Sequence, residues 1–333
     1  MRLAGLILGG MMLLQAPIVR RPPVAKGAQA PQGADATQQQ ASQSSDDGQK
    51  VPTIKVQTRL VNVALNVVDA TGAPVGGLGR DDFEILEDGK VQKLSYFEKE
   101  SSTPLSVVLA IDASESVLRD ERLEKNAARH FVRALLRDQD ELDLMDFADT
   151  VREIVPFTNQ KKTIEIGLNN LQRGDSTALY DAIYLASDRL SSTSAADGRR
   201  RVMLLITDGE DTAKGSRYGQ ALEEAQRAGA MVFSIIIVPV EADAGRNTGG
   251  EHALIQMASD TGGKYYYVQE PKDLEPAFAK VSDDLRTQYV LGYYAPQRGT
   301  DASFRRITVR MKDDGLRGKY QLRHRSGYYA DAR

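Results

Sequence analysis

Three short stretches of this chain gather side chains whose shared property is a hard oxygen donor. Asp112-Ala113-Ser114-Glu115-Ser116 sets one carboxylate and two hydroxyls at alternate positions. On an extended loop that spacing lets Asp112, Ser114 and Ser116 converge while Ala113 and Glu115 point away. Arg173-Gly174-Asp175-Ser176-Thr177-Ala178 supplies another hydroxyl, Thr177, and Thr207-Asp208-Gly209-Glu210-Asp211 a second carboxylate, Asp208. Two carboxylates and three hydroxyls suit a hard divalent cation: Mg²⁺, with Mn²⁺ or Ca²⁺ as substitutes. Mg²⁺ prefers octahedral oxygen ligands, keeps several waters and is held through one or two carboxylates. A ring dominated by hydroxyls leaves the ion under-neutralised, so it draws an acidic side chain from a partner into its sphere.

Composition removes most competing chemistry. The 333 residues contain no cysteine, which excludes disulfides, thiol catalysis and thiolate metal sites. The three histidines, His130, His252 and His324, are scattered, which disfavours a zinc site or a catalytic triad. Lys and Arg number 43 against 46 acidic residues, so there is no basic surplus of the kind nucleic acid requires. No placed base or nucleophile stands beside the oxygen donors, which argues against a metal-assisted hydrolase.

The donors need a scaffold. Leu105 to Ile111, Val202 to Ile206 and Met231 to Val238 are nearly continuous apolar runs, as expected of strands covered on both faces. Leu142 to Phe147 is a more polar candidate, in which Asp143 and Asp146 are unusual: they suggest an exposed edge position, with Asp146 as an acceptor behind the oxygen donors the alternative. Between the runs, Leu123, Ala127, Ala128, Phe131, Leu135 and Leu136 recur at helical spacing. So do Leu179, Ile183, Ala186 and Leu190, and also Ala221, Leu222, Ala225 and Ala228, the last closed by Gly229. Alternating strands and helices predict a doubly wound, mostly parallel α/β sheet over residues 101–286. Such sheets bind ligands at the carboxyl ends of their strands, and the three donor stretches fall there.

Both flanks read as β structure. Val61, Val63, Leu65 and Val67 alternate with smaller or polar residues, Phe83 and Ile85 begin a second strand, and Glu87-Asp88-Gly89-Lys90 is a hairpin turn. At the other end come Tyr289 to Tyr294, then Ile307, Val309 and Met311, then a strand drawn from Tyr320, Leu322 and Gly327-Tyr328-Tyr329. Neither flank has enough strands to stand alone, so residues 51–100 and 287–333 are expected to pair into one β-sandwich with the α/β unit inserted. Independent small domains at each end are the alternative.

Residues 1–30 have the form of an export signal: Arg2, an apolar run from Leu3 to Val19, and Ala28-Gln29-Ala30 as a cleavage site. An uncleaved membrane anchor is the other reading, and membrane contact is expected only in that case. Loss of Arg2, Arg20, Arg21 and Lys26 would take the formal charge from −3 to −7. Residues 31–50, without a large apolar side chain, are expected to be a disordered linker. Export of a chain without cysteine suits a bacterial periplasmic or secreted protein.

The whole pattern resembles the von Willebrand factor A domain. Asp112, Ser114 and Ser116 match the family's Asp-x-Ser-x-Ser at the end of the first strand. Thr177 in Ser176-Thr177-Ala178-Leu179-Tyr180-Asp181-Ala182-Ile183 matches its threonine, and Asp208 in Ile206-Thr207-Asp208-Gly209 its second aspartate. All five positions of the family's metal-ion-dependent adhesion site are present and in strand order. The flanks resemble bacterial exported VWFA-related proteins, which implies a fold and a metal but no settled activity. The resemblance implies a non-enzymatic adhesion module whose partner is another protein presenting an Asp or Glu carboxylate. An envelope scaffold with a vestigial metal site is the alternative. Taken singly, Asp112, Ser116 and Asp208 also read as helix N-caps. Asp211 and Glu210 are candidates to tune the field, Asp175 and Glu115 are solvated loop residues, and His252 is a capping or solvated residue at a helix start. By analogy with the fold, the last helix, near Asp273 to Arg286, could shift on ligand binding and move the sandwich.

Overall fold

The computed structural model describes residues 60–99, 102–114, 121–193, 198–238, 248–295 and 302–331. The export-signal and linker stretches, with Glu115 and Ser116, lie outside the described residues. Strands β1 (Leu60–Val68), β2 (Phe83–Glu87), β3 (Lys90–Gln92) and β4 (Leu94–Glu98) come first. An alternating section follows: β5 (Leu105–Asp112), α1 (Glu121–Leu135), β6 (Glu141–Phe147), β7 (Val151–Thr158), α2 (Lys161–Gly167), α3 (Leu179–Ser192), β8 (Arg200–Thr207) and α4 (Tyr218–Ala228). It continues with β9 (Met231–Ile237), α5 (Thr248–Thr261), β10 (Tyr265–Val268) and α6 (Leu274–Arg286). The chain closes with β11 (Tyr289–Tyr294), β12 (Phe304–Met311), the single turn α7 (Asp314–Arg317), β13 (Gln321–Arg323) and β14 (Gly327–Tyr329).

The central sheet has the order β10-β9-β8-β5-β6-β7, parallel except for β7. Every residue of β5 is buried because both faces of the sheet are covered. Val107, Leu109 and Ile111 pack with α1 and α6 through Phe131 and Phe278, whose rings stack at 4.6 Å. Val108 and Ala110 pack with α3, α4 and α5 through Ile183, Ala225 and Met257. The direction of winding reverses between β5 and β8, so the loops leaving their carboxyl ends open a crevice there.

Two features of this sheet differ from the sequence reading. Strand β7 and helix α2 were not expected, because Arg152, Glu153 and Pro156 break any apolar pattern in β7. As an edge strand β7 tolerates a proline, and its register with β6 shifts around Leu144. Strand β6 is an interior strand, and Asp143 and Asp146 are 0% and 1% exposed, which corrects the exposed edge position expected for them. Asp146 is satisfied by Arg152 (Nε to Oδ1, 3.0 Å) and by the Gln172 amide at 2.8 Å. Burial, and then Glu153 beside it, push the Asp143 carboxyl up, against the opposing pull of the Arg189 charge.

The flanking strands form two antiparallel sheets, β13-β1-β11-β4 and β14-β12-β2-β3, around one core that includes Val63, Leu65, Phe83, Ile85, Leu291, Tyr293 and Val309. Each sheet mixes both ends of the chain, since β1 pairs with β11 and β2 with β12. Independent terminal domains are thereby excluded. Asp88 and Gly89 both take positive φ, 48° and 78°, which gives the β2–β3 hairpin the twist a two-residue turn requires. The buried Glu87 carboxylate accepts from Tyr293 Oη at 2.6 Å and Tyr328 Oη at 2.9 Å, joining the two sheets through their interior. The single strand expected near Tyr320 to Tyr329 is two strands in different sheets. The chain crosses between them at Ser326, whose amide donates to Asp260 O at 2.9 Å.

Only Thr287 and Gln288 separate α6 from β11. Several guanidiniums lie at this base of the α/β unit and donate to carbonyls at helix carboxyl ends. Arg286 reaches Leu135 O, Arg200 reaches Leu285 O, and Arg201 reaches Ala228 O. A helix carboxyl end carries a partial negative charge and unsatisfied carbonyls, so cations there are stabilising.

Candidate metal centre

Asp112 is the last residue of β5 and is completely buried. Its Oδ2 accepts from Thr207 Oγ1 at 2.7 Å, and its Oδ1 from the Ser114 amide at 3.0 Å. Thr207, the last residue of β8, also accepts from the Gly209 amide at 3.0 Å, which shapes the turn that carries Asp208. Gly209 has φ of 84° and packs against the backbone of Gly250 and Glu251, so only glycine fits there. The Asp208 carboxylate accepts from the Glu210 amide at 3.1 Å.

The three donor loops are laced together by main-chain bonds. Ser114 forms a parallel bridge with Gly174, and the Gly174 amide donates to Ala113 O at 3.3 Å. The Ala178 amide donates to Ala148 O at 2.8 Å. Thr177 donates its amide to Thr212 Oγ1 at 2.8 Å, while its carbonyl accepts from the amides of Thr212 and Ala213 at 3.0 and 3.1 Å. Asp149 fixes the same loop by accepting from the Ser176 amide at 2.9 Å. Helix α3 has no capping side chain of its own at Ala178; Asp211 does that work from the neighbouring loop, accepting from the Tyr180 amide at 3.2 Å.

Four of the five expected residues, Asp112, Ser114, Thr177 and Asp208, therefore stand on three loops at one sheet edge. Ser116 lies outside the described residues. Ser114 and Thr177 are each 3% exposed and Asp208 is half-buried. Asp211 serves α3 rather than tuning the field alone, and Glu210 and Asp175 are exposed. His252 is also exposed, and its Nδ1 lies 2.7 Å from Thr248 O at the start of α5, as expected of a capping or solvated residue. Thr207, Asp149 and Thr212 were missed by sequence reasoning. Thr207 alone left a signal, as a hydroxyl directly preceding the Asp208-Gly209 pair.

Burial pushes the Asp112 carboxyl up to about 6. Hydrogen bonds from Thr207 and from the Ser114 side chain and amide pull it back, and the Asp208 charge raises it further. No cation stands among these influences. Two carboxylates that repel each other in a site lined by hydroxyls fit a hard divalent ion, whose charge would relieve the repulsion. Among the described residues no three His, Asp or Glu side chains cluster as a metal group, so such an ion would rest on these two carboxylates plus hydroxyls and water. Among the described residues, too, no helix is long and apolar enough to cross a membrane.

The family model for the von Willebrand factor type A domain matches residues 106–280. None of the curated proteins matches the chain. Among solved structures, BatB from Bacteroides thetaiotaomicron is similar at 22% identity over 54% of this chain and 98% of that one, with a TM-score of 0.42. Proximal thread matrix protein 1 from the mussel byssus, with a zinc-occupied MIDAS motif, is 18% identical over 56% of this chain and 49% of that one, with a TM-score of 0.44. The PilB minor pilin from Streptococcus sanguinis is 13% identical over 56% and 62% of the two chains, also at 0.44.

Proposed function

This chain belongs to the von Willebrand factor type A domain family, and from that premise we propose that it is an exported, non-enzymatic binding module acting through a divalent metal. Asp112, Ser114, Ser116, Thr177 and Asp208 hold the ion, Mg²⁺ or in its place Mn²⁺ or Ca²⁺. The ion supplies one acidic coordination position for a carboxylate of a partner protein. The observation that carries this reading is the convergence of Asp112, Ser114, Thr177 and Asp208 on three loops at one sheet edge, laced by the Ser114–Gly174 bridge and by the bonds of Thr207 and Ser114 to the buried Asp112.

The placement of the histidines supports binding over catalysis. His130 is exposed beside Glu275, His252 is exposed on α5 with its Nδ1 at Thr248 O, and His324 packs within the sandwich, while Asp112 takes its hydrogen bonds from Thr207 and Ser114. Export rests on the form of residues 1–30 and puts the module in the bacterial periplasm or outside the cell.

Calorimetric titration of the mature chain with Mg²⁺ and Mn²⁺, repeated on Asp112→Ala, tests the site. The wild type is expected to bind one ion and the variant none, with circular dichroism unchanged. Partner capture from the envelope should then require the metal and Asp112 together. Capture that survives both EDTA and Asp112→Ala would overturn the adhesion reading, and the absence of a binding heat would make the site vestigial and the protein a scaffold.

A further inference from the structure

A cavity of about 660 Å³ opens at the end of the α/β unit opposite Asp112. One wall is the outer face of the β13-β1-β11-β4 sheet, through Asn62, Ala64 and Tyr96; the other is the base of the central sheet, where Arg200 begins β8. Seven residues of strand separate that base from the Asp112 edge, roughly 23 Å at about 3.3 Å per residue. The volume falls within the range of ligand pockets, about 300–1,000 Å³.

Five arginines, Arg199, Arg200, Arg201, Arg227 and Arg325, are among the residues that line the cavity, with one acidic residue, Glu98. The Glu98 oxygens are already engaged by Tyr96, Ser102 and Thr103 hydroxyls at 2.5, 2.7 and 3.1 Å. Arg227 is balanced from outside by Glu223 and Asp331, and Arg199 lies 3.9 Å from Glu141. Arg200, Arg201 and Arg325 donate to the carbonyls of Leu285, Ala228 and Asn62.

Helix capping accounts for part of this cluster, but not for all of it. A helix end carries about half a negative charge, less than the full charge of each guanidinium that answers it. Arg325 donates to Asn62 O, a strand carbonyl in β1, and its Nη1 lies near Gly229 at the carboxyl end of α4. Arg200 is only 7% exposed, and among the described residues its Nε has no hydrogen-bond partner. Burial, and then the Arg286 charge, push the Arg200 guanidinium down to about 10, while Asp140 and Glu98 pull it back up.

We propose that this cavity is a second binding site, for a small ligand carrying two or more phosphate or carboxylate groups. The planar guanidinium fork matches both oxyanions bidentately, and several forks around one cavity favour a multivalent ligand over a single ion. Tyr96, 40% exposed, adds an aromatic face, its hydroxyl being engaged by Glu98. The site is independent of the metal centre in residues and in position.

The test is calorimetric titration of the mature chain with pyrophosphate and, separately, with citrate, in buffer free of divalent ions and at constant ionic strength. Saturable one-to-one binding of at least one probe is expected, and the preferred probe identifies phosphate or carboxylate as the natural group. Arg325→Gln and Arg227→Gln should each weaken binding about tenfold, the scale of one lost charge-assisted hydrogen bond. Both should keep the wild-type circular dichroism and bind Mn²⁺ as the wild type does, while Asp112→Ala should leave anion binding unchanged. The proposal is overturned if neither probe saturates, if both Arg substitutions leave the affinity unaltered, or if Asp112→Ala abolishes binding.

Discussion

Thr207 and Asp112, 95 residues apart in sequence, meet across the ends of two neighbouring strands, with Thr207 Oγ1 donating to Asp112 Oδ2 at 2.7 Å. The same hydroxyl accepts from the Gly209 amide, so it orients a carboxylate on β5 and shapes the loop after β8 at once. The proposed metal centre would thus depend on a residue that need not touch the metal. Thr207 fixes which Asp112 lone pairs remain available and where Asp208 begins.

Replacing Thr207 with valine keeps the shape and removes the donor. Leaving a buried acceptor short of a partner costs about 1–3 kcal/mol. Thr207→Val should lower stability by about that amount and weaken Mn²⁺ binding about tenfold, while Thr207→Ser keeps most of both. Urea unfolding and calorimetry read the two effects, and wild-type Mn²⁺ affinity in Thr207→Val would show that Asp112 needs no such positioning.

The candidate ligands Asp112, Ser114 and Asp208 were legible because they follow apolar runs, and Thr177 because it precedes a helix; the end of a buried strand is where an α/β sheet exposes its loops. What holds them was not. Asp211 caps α3 from another loop and Asp149 ties down Ser176, and only Thr207, a hydroxyl directly before Asp208-Gly209, left any trace in the sequence. Asp143 and Asp146 were misjudged for a related reason. A carboxylate in a strand suggests water, whereas Asp146 meets Arg152 and Asp143 is buried, which pushes its carboxyl up. The sandwich could be anticipated from two incomplete sets of strands. The switch of sheets between β13 and β14 could not, since it depends on Ser326 meeting Asp260 far away.

His324 makes stability depend on pH in the sandwich. Its Nε2 accepts from the Val309 amide at 3.1 Å and its Nδ1 donates to Arg325 O at 2.8 Å, which is the neutral ring. Burial, and then the nearby Arg325 charge, hold its pKa below the ordinary 6.5, against the opposing pull of the Arg325 carbonyl. The unfolded chain therefore binds the proton first as pH falls. The His324 contribution is complete above about pH 6.5 and is lost as pH falls from there toward the lower folded value. Glutamine can accept the Val309 bond without titrating. Between about pH 7.5 and about pH 5.5, spanning the ordinary histidine value, the wild type should lose more stability than His324→Gln in urea unfolding. Equal losses would remove His324 as the cause.

Whether metal binding moves the sandwich through α6 turns on the last turn of that helix. The Asp284 carboxylate takes Lys264 Nζ at 2.9 Å and the Tyr266 hydroxyl, and Asn66 donates to its carbonyl at 2.9 Å. Arg200 holds Leu285 O, and Arg286 pairs with the buried Asp140 while capping Leu135 O at 2.6 Å. Sliding α6 would strand buried charges, and breaking one such pair costs about 3–5 kcal/mol. Coupling between sites is typically about 1–3 kcal/mol, which is too little to release this end. The amides of Val281 to Arg286 should therefore exchange hydrogen slowly and at the same rate with and without Mg²⁺, while those around Asp112 and Asp208 slow on binding. Asp140→Asn, which weakens the hold on Arg286, should speed exchange in the last turn and act as the positive control. Faster exchange at Leu285 when Mg²⁺ is added to the wild type would show that the helix does release, and the metal centre would then be coupled to the sandwich.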